Sequence, residues 1–254
     1  MTIYAIQTFS VAINATRYEL VANIPAGDGS RTALLFVHGL RTAINVEEIA
    51  LGVEGWQPVG AASAETTNRR YAIGAFALAE PAAGALRFVV TASKPLAGLV
   101  AFLYMADNLL AGAAVGAAGD AGTVVVPGPF RGPVVVGAMS RPGARIESDA
   151  GAVIARGETL ESDATTRVTA ALIAAADVDA IALSGRAVVA LAVSLVAPPP
   201  PPPPPVHELS VIVRELADGA THEVRWVRPG EVVMGPGGID WEATPHQAMV
   251  FPAS

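Results

Sequence analysis

The 254-residue sequence has no cysteine, so disulfides and cysteine-based metal sites are excluded and packing alone must hold the fold. Charge is scarce too: Asp, Glu, Lys and Arg make up 15% of the residues, the net charge is -7, and no long run of lysines or arginines occurs. A phosphate backbone binds through clustered cations that displace its counterions, so nucleic acid is not an expected partner. Aromatic residues are only 6% against 52% hydrophobic, a balance swollen by alanine, and the expected core is aliphatic.

Also missing is any apolar run that could cross a bilayer, which takes about 20 residues. Ala97 to Val115 is broken by Asp107 and Asn108, and Ala170 to Val196 by Asp177, Asp179, Ser184 and Arg186, so no membrane span is expected. The start, Met1-Thr-Ile-Tyr-Ala-Ile-Gln7, has no basic segment ahead of an uninterrupted apolar one, and its first basic residue is Arg17. No secretory signal peptide is expected from it. Mean hydropathy of +0.46 argues against a disordered chain, and the length suits one large all-β domain with something smaller beside it.

What the chain does contain is a series of short apolar runs punctuated by Gly, Pro, Asp and Ser, the pattern of strands in a sandwich or barrel. Strands are predicted at Ile3–Val11, Arg17–Ile24, Ala33–His38, Tyr71–Ala79, Leu86–Thr91, Leu99–Met105, Thr123–Val126, Val134–Met139, Val168–Ala174 and Ala187–Val196. Ala26-Gly-Asp-Gly29 and Pro81-Ala-Ala-Gly84 supply the turn chemistry between them. Leu86, Phe88 and Val90 fall on one face of their strand, with Arg87 and Thr91 on the other. Asn45 to Leu51 could form a helical turn. Leu109 to Ala118 is alanine-rich, but Gly112, Gly116 and Gly119 each cost up to about 1 kcal/mol in a helix, and a long loop is expected there.

Pro198 to Pro205 are eight consecutive prolines. Without amide donors and with φ preset, they should form a polyproline II rod of about 25 Å, at about 3.1 Å per residue. The expected organisation is a β-sandwich domain over 1–197, a linker over 198–205 bounded by Pro198 and Pro205, and a small C-terminal β module over 206–254. Within that module, Leu209–Leu216 and His222–Val227 flank Ala217-Asp-Gly-Ala220, a hairpin signal. A module this small, without cysteines, should need a partner surface to pack on.

Several motifs tempt a catalytic reading. Leu34-Leu-Phe-Val-His-Gly-Leu40 resembles the strand and His-Gly element of α/β-hydrolases, but their Gly-x-Ser-x-Gly elbow is missing: Ser140 sits in Ala138-Met-Ser-Arg141 and Ser184 in Ala182-Leu-Ser-Gly185. Gly112, Gly116, Gly119 and Gly122 are not followed by the Gly-Lys-Ser/Thr of a phosphate loop. The acids Asp177 and Asp179, and Glu158, Glu161 and Asp163, could serve glycoside hydrolysis only if they converged across a cleft. The four histidines, His38, His207, His222 and His246, lack metal-ligand spacing. No catalytic residue, cofactor or metal is therefore predicted. Trp56, Trp226 and Trp241 are the candidate ligand-binding residues, since an exposed indole stacks on sugar rings. Asn14-Ala-Thr16 fits a glycosylation acceptor, inert without export.

Residues 3 to 197 resemble a recurrent β-sandwich module of phage virion proteins and bacterial surface proteins. The likeness lies in the order of Ala33-Leu-Leu-Phe-Val-His-Gly39, Gly55-Trp-Gln-Pro-Val-Gly60, the long segment Tyr71 to Thr91 with its Pro-x-x-Gly turn, Gly132 to Ser140, and Ala187 to Val196. It implies an all-β, jelly-roll-like or immunoglobulin-like sandwich used for display and adhesion, without catalytic residues. The expected function is accordingly a non-enzymatic virion structural protein: a head or tail spike, fibre or capsid decoration subunit of a tailed phage or phage-like particle such as a gene transfer agent. Its expected partners are other virion proteins, further copies of itself as a homo-oligomer, and a host surface glycan; its expected location is the virion, assembled in the host cytoplasm. A bacterial cell-surface adhesin or carbohydrate-binding protein is the alternative, and a glycan hydrolase the third.

Overall fold

A computed structural model describes residues 2–27, 30–42, 48–66, 69–119, 122–141, 144–160, 167–199, 210–215, 221–227, 234–241 and 247–252. The chain is all-β, with no helix among the described residues, and it divides into two compact units, Met1–Pro198 and Pro199–Ser254.

The first unit holds β1 (Thr2–Val11), β2 (Ala15–Ile24), β3 (Arg31–Thr42), β4 (Leu51–Val53), β5 (Gln57–Thr66), β6 (Arg69–Ala79) and β7 (Gly84–Leu96). It continues with β8 (Gly98–Asp107), β9 (Leu110–Ala118), β10 (Val124–Ser140), β11 (Glu147–Ser148), β12 (Ala152–Leu160), β13 (Arg167–Ser184) and β14 (Ala187–Val196). A central sheet runs β1-β8-β3-β6-β5, a small sheet β2-β7-β4, and a large sheet β11-β13-β10-β14-β9, with β12 also on β13. Among the described residues of this unit the strand pairings are antiparallel.

The small sheet shows the alternation of a strand with one dry face. In β2, Tyr18, Leu20, Ala22 and Ile24 are buried while Arg17, Glu19, Val21 and Asn23 are exposed. The dry residues meet Phe88 and Val90 of β7 and the odd-numbered residues Leu35 and Val37 of β3 and Leu99, Ala101 and Leu103 of β8. The even-numbered residues of the same strands, Leu34, Phe36, Leu40, Val100, Phe102 and Tyr104, enter a second core with Val135, Met139, Leu191 and Val193 of the large sheet. The central sheet is thus the middle of three layers. Dry on both faces, β3 and β8 read as unbroken apolar runs instead of alternating ones.

The third core has another origin. β10 and β13 pair from Val124↔Leu183 to Met139↔Ala170, and the register shifts between Pro127 and Pro133. Leu183 pairs with Val124, yet Ala187, just across a short turn, pairs with Ser140 at the other end of β10. The two-stranded ribbon must therefore fold back on itself. Val124, Val126, Ile181 and Leu183 of one arm pack on Val134, Val136, Ala138, Ala171 and Ile173 of the other. At the corner, Gly132 takes φ 96°, a conformation that disfavours side chains, and its N–H donates to Asp177 Oδ1 at 2.8 Å. Thr123–Val126 and Val134–Met139, expected as separate strands, are the two arms of one bent strand.

One expectation is overturned here: Leu109 to Ala118 is not a long loop but contains β9. Glycines weaken a helix interior, which excluded the helix correctly; at a sheet edge they permit close approach of a second backbone. β5 and β12 were also absent from the predicted strands, because Gly60-Ala-Ala-Ser-Ala64 and Ala152-Val-Ile-Ala-Arg-Gly157 carry few of the bulky residues that mark a strand. Of the helical turn expected at Asn45–Leu51, residues 45–47 lie outside the described residues, and Leu51 begins β4.

In the second unit, β15 (Ser210–Glu215), β16 (Thr221–Val227), β17 (Met234–Gly235), β18 (Gly238–Ile239) and β19 (Gln247–Pro252) form a three-stranded sheet, β15-β16-β19, and the short pair β17-β18. Ser210↔Val227 and Glu215↔His222 give the expected hairpin, while its Asp-Gly turn lies outside the described residues. So do Pro200 to Pro205, and with them the expected polyproline rod.

Candidate functional site

Sheet widths create a cavity among the described residues. The central sheet is five strands wide and the small sheet lying on its odd face only three. The β6–β5 end of that face is roofed instead by the segment leading into β4. Between them lies an opening of about 460 Å³, lined by Glu48, Ile49, Ala50, Leu51, Ala61, Ala62, Ser63, Ala72 and Ile73. That volume is within the range of about 300–1,000 Å³ usual for small-molecule sites.

The floor follows from register. Ala61 pairs with Gly74 and Ser63 with Ala72, and paired residues share a face. Three of these four have no side chain beyond Cβ and the fourth is Ser63, so depth here comes from small residues. The next row on the same face is polar: Glu65 pairs with Arg70, which pairs with Arg41. Arg70 Nη2 bonds Glu65 Oε2 at 2.9 Å. Arg41 Nη1 is buried without a hydrogen-bond partner among the described residues. The opening thus combines apolar walls at Ile49 and Leu51 with the polar side chains of Ser63 and Glu48. It suits a small ligand held by contact and hydrogen bonding. Neither Ser63 nor Glu48 was singled out by sequence; the run of small residues after Gly60 was the available signal.

The structure separates the residues that sequence nominated. Trp56 is 7% exposed, packed in the first core with its ring 5.6 Å from Phe88, so this expected stacking residue is a core residue. The burial has a simple cause: the Glu54-Gly55 turn between β4 and β5 swings the side chain under the small sheet. Trp226 lies on β16, its side chain outside the described set, and Trp241 is half-buried in a turn after β18. Pro198 is half-buried at the end of the first unit, and Pro205 lies outside the described residues.

His38 is fully buried on the even face of β3, 5.2 Å from the Phe102 ring. Burial lowers its pKa to about 3, and the backbone at Val100 and Phe36 only partly opposes this, so the imidazole is neutral. Neither ring nitrogen has a hydrogen-bond partner of normal geometry among the described residues. An imidazole so enclosed cannot reach a substrate. Ser140 is buried as well, donating to the Ala144 carbonyl at 3.1 Å, and Ser184 is exposed at the end of β13.

The acids do not converge. Asp177 accepts from Gly132 at the ribbon corner, and Asp179 faces Arg131 at 3.2 Å with both side chains exposed. Glu158 is on β12, while Glu161 and Asp163 lie outside the described residues. Among the described residues no group of three or more His, Asp or Glu could hold a metal ion, and no helix is long and apolar enough to cross a membrane.

No protein-family model, no curated protein and no solved structure matches the chain.

Proposed function

We propose that this chain is a non-enzymatic structural protein of a virion surface, a head or tail spike, fibre or decoration subunit of a tailed phage or phage-like particle, serving display or host attachment. In this reading the first unit is a layered, jelly-roll-like β-sandwich, the eight prolines are a spacer, and the small C-terminal unit meets capsid or a fellow subunit. The observation that carries it is the stack of three dry-cored β layers in series with an oligoproline run and a second β unit. A stack closed on both faces of its middle sheet resists deformation, and a proline rod transmits position instead of slack. Weak sites repeated on a particle then give adhesion by avidity. The resemblance in segment order to β-sandwich modules of phage and bacterial surface proteins, read from the sequence, is in keeping with the same reading.

The test is incubation of the purified chain with particles assembled without it, followed by sedimentation. Stable co-sedimentation at a fixed copy number per particle is expected; a chain that stays in the supernatant with every particle offered would sink the proposal.

The opening at Ser63 favours the second reading, a carbohydrate-binding or adhesive surface protein, because small walls with hydroxyl and carboxylate neighbours suit a hydroxylated ligand. A glycan array distinguishes it: specific binding lost in Ser63→Leu, with the melting temperature kept, supports that reading, and an array without any signal opposes it.

A further inference from the structure

We infer that β9 is a self-association edge, through which two copies of the chain join their large sheets by antiparallel pairing about a two-fold axis at Gly116. Among the described residues β9 pairs only with β14, so its other side is a sheet edge there. Gly119 N–H donates to the Val188 carbonyl at 3.1 Å, and Ala117↔Ala190 and Val115↔Ala192 follow in register. Residues of a strand point their N–H and C=O alternately to either side. Val115 and Ala117 therefore bond inward to β14, and Ala114, Gly116 and Ala118 direct both backbone groups outward. Among the described residues no further strand of the sheet pairs with them.

Natural edges are blunted by charge, proline, shortness or bulges. Here β2 carries Arg17 and Glu19, β12 carries Arg156 and Glu158, β5 has Pro58, Glu65 and a register shift, and β4 and β11 have three and two residues. β1 is uncharged, but it is bulged between Ala5 and Gln7 and packs at Thr8 under Gly157 of β12. β9 has no charge along its nine residues, and its stretch Ala114–Ala118 is free of bulges.

The occupant follows from the order of those residues. Ala114-Val-Gly-Ala-Ala118 reads nearly the same in both directions, so antiparallel pairing with itself sets Ala114 opposite Ala118, Val115 opposite Ala117 and Gly116 opposite Gly116. The three outward pairs each exchange two backbone bonds, with no like charges opposed. The edge strand of the central sheet is close and made of small residues: a Cβ at Gly60 would stand 2.4 Å from Ala114 Cβ, and one at Gly116 2.9 Å from Ala62 Cβ. β5 therefore lies close upon β9. A second copy meets small residues on both layers, and the two-fold contact closes without propagating. This pairing is independent of any role on a particle.

Light scattering of the full chain across a concentration series tests it, with Ala118→Glu as the variant, since Ala118 is exposed and a carboxylate there is harmless in a single copy. The wild type is expected at twice 25.8 kDa and the variant at 25.8 kDa. In wild type, hydrogen exchange at the amides of Ala114, Gly116 and Ala118 should slow about tenfold or more with concentration, equivalent to about 1.4 kcal/mol, while Val115 and Ala117 stay as they were. This second measurement decides the matter even if the variant fails to fold. A wild-type chain that stays single throughout, or a dimer whose three outward amides exchange as in dilute solution, overturns the inference.

Discussion

β2 and β3 are neighbours in sequence with similar lengths, yet they obey different rules. β2 alternates strictly between buried and exposed residues; in β3 everything described from Arg31 to Leu40 is buried. Propensity does not separate them. What separates them is that β2 has a layer on one side and β3 has a layer on each. The difference teaches that a strand's tolerance to change is a property of its neighbours. It also explains how a neutral histidine, lacking hydrogen-bond partners of normal geometry among the described residues, persists at position 38: a fully dry environment favours the uncharged form and leaves no water to compete.

Removing a large side chain from the middle layer should break the comparison most. Phe102→Ala empties space between the central and large sheets beside His38 and should cost about 3–5 kcal/mol in urea unfolding. Val21→Ala on the wet face of β2 should stay within about 0.5 kcal/mol. Equal losses at the two positions would show that the middle layer is not doubly packed.

Acid comes next. Because burial lowers the His38 pKa from 6.5 to about 3, the unfolded chain takes up the proton first. The stability held by neutral His38 is complete above pH about 6.5 and is lost toward pH about 3, with a slope of about 1.4 kcal/mol per pH unit. His38→Leu should flatten that part of a stability profile, whatever it does to the absolute value. A profile of unchanged slope would mean that His38 is solvated.

Overpacking is a smaller test of the same layer. A Cβ at Gly137 would stand 2.7 Å from Phe36 Cδ1 and 2.8 Å from His38 Nε2, so Gly137→Ala should cost about 1–3 kcal/mol. Thermal melts of this variant and Ala85→Ser, on the exposed row of β7, would compare the layers directly. The least effect belongs to the surface: Arg17 pairs with Glu54, both about half exposed, and Arg17→Ala should cost under about 1 kcal/mol and less in high salt. A larger loss would give the small sheet's outer face an unexpected structural role.

Much of the strand layout was legible because turn residues and alternation are local. Pro81-Ala-Ala-Gly84 marks the β6–β7 turn, where Glu80 and Gly84 take positive φ, and Leu86, Phe88 and Val90 face inward as their spacing required. β9 was not legible, since its strand form depends on β14 beside it and β5 above it. The candidate site was not legible either. Glu48, Ser63 and Ala72 meet only because a three-stranded sheet lies on a five-stranded one, and sheet width is nowhere encoded in a local pattern. Trp56 illustrates the reverse case: an indole that could stack on a sugar was claimed by the core.

The sequence by itself determined that the chain is rich in strands, aliphatic in its core and free of disulfides, because composition, periodicity and turn chemistry act over a few residues. Only the tertiary structure decided which faces are dry, where the β10–β13 ribbon doubles back, that β9 ends a sheet, and that an opening lies beside Ser63. Those outcomes rest on pairings between residues far apart in the chain, and one strand pattern is compatible with many such pairings until the layers close.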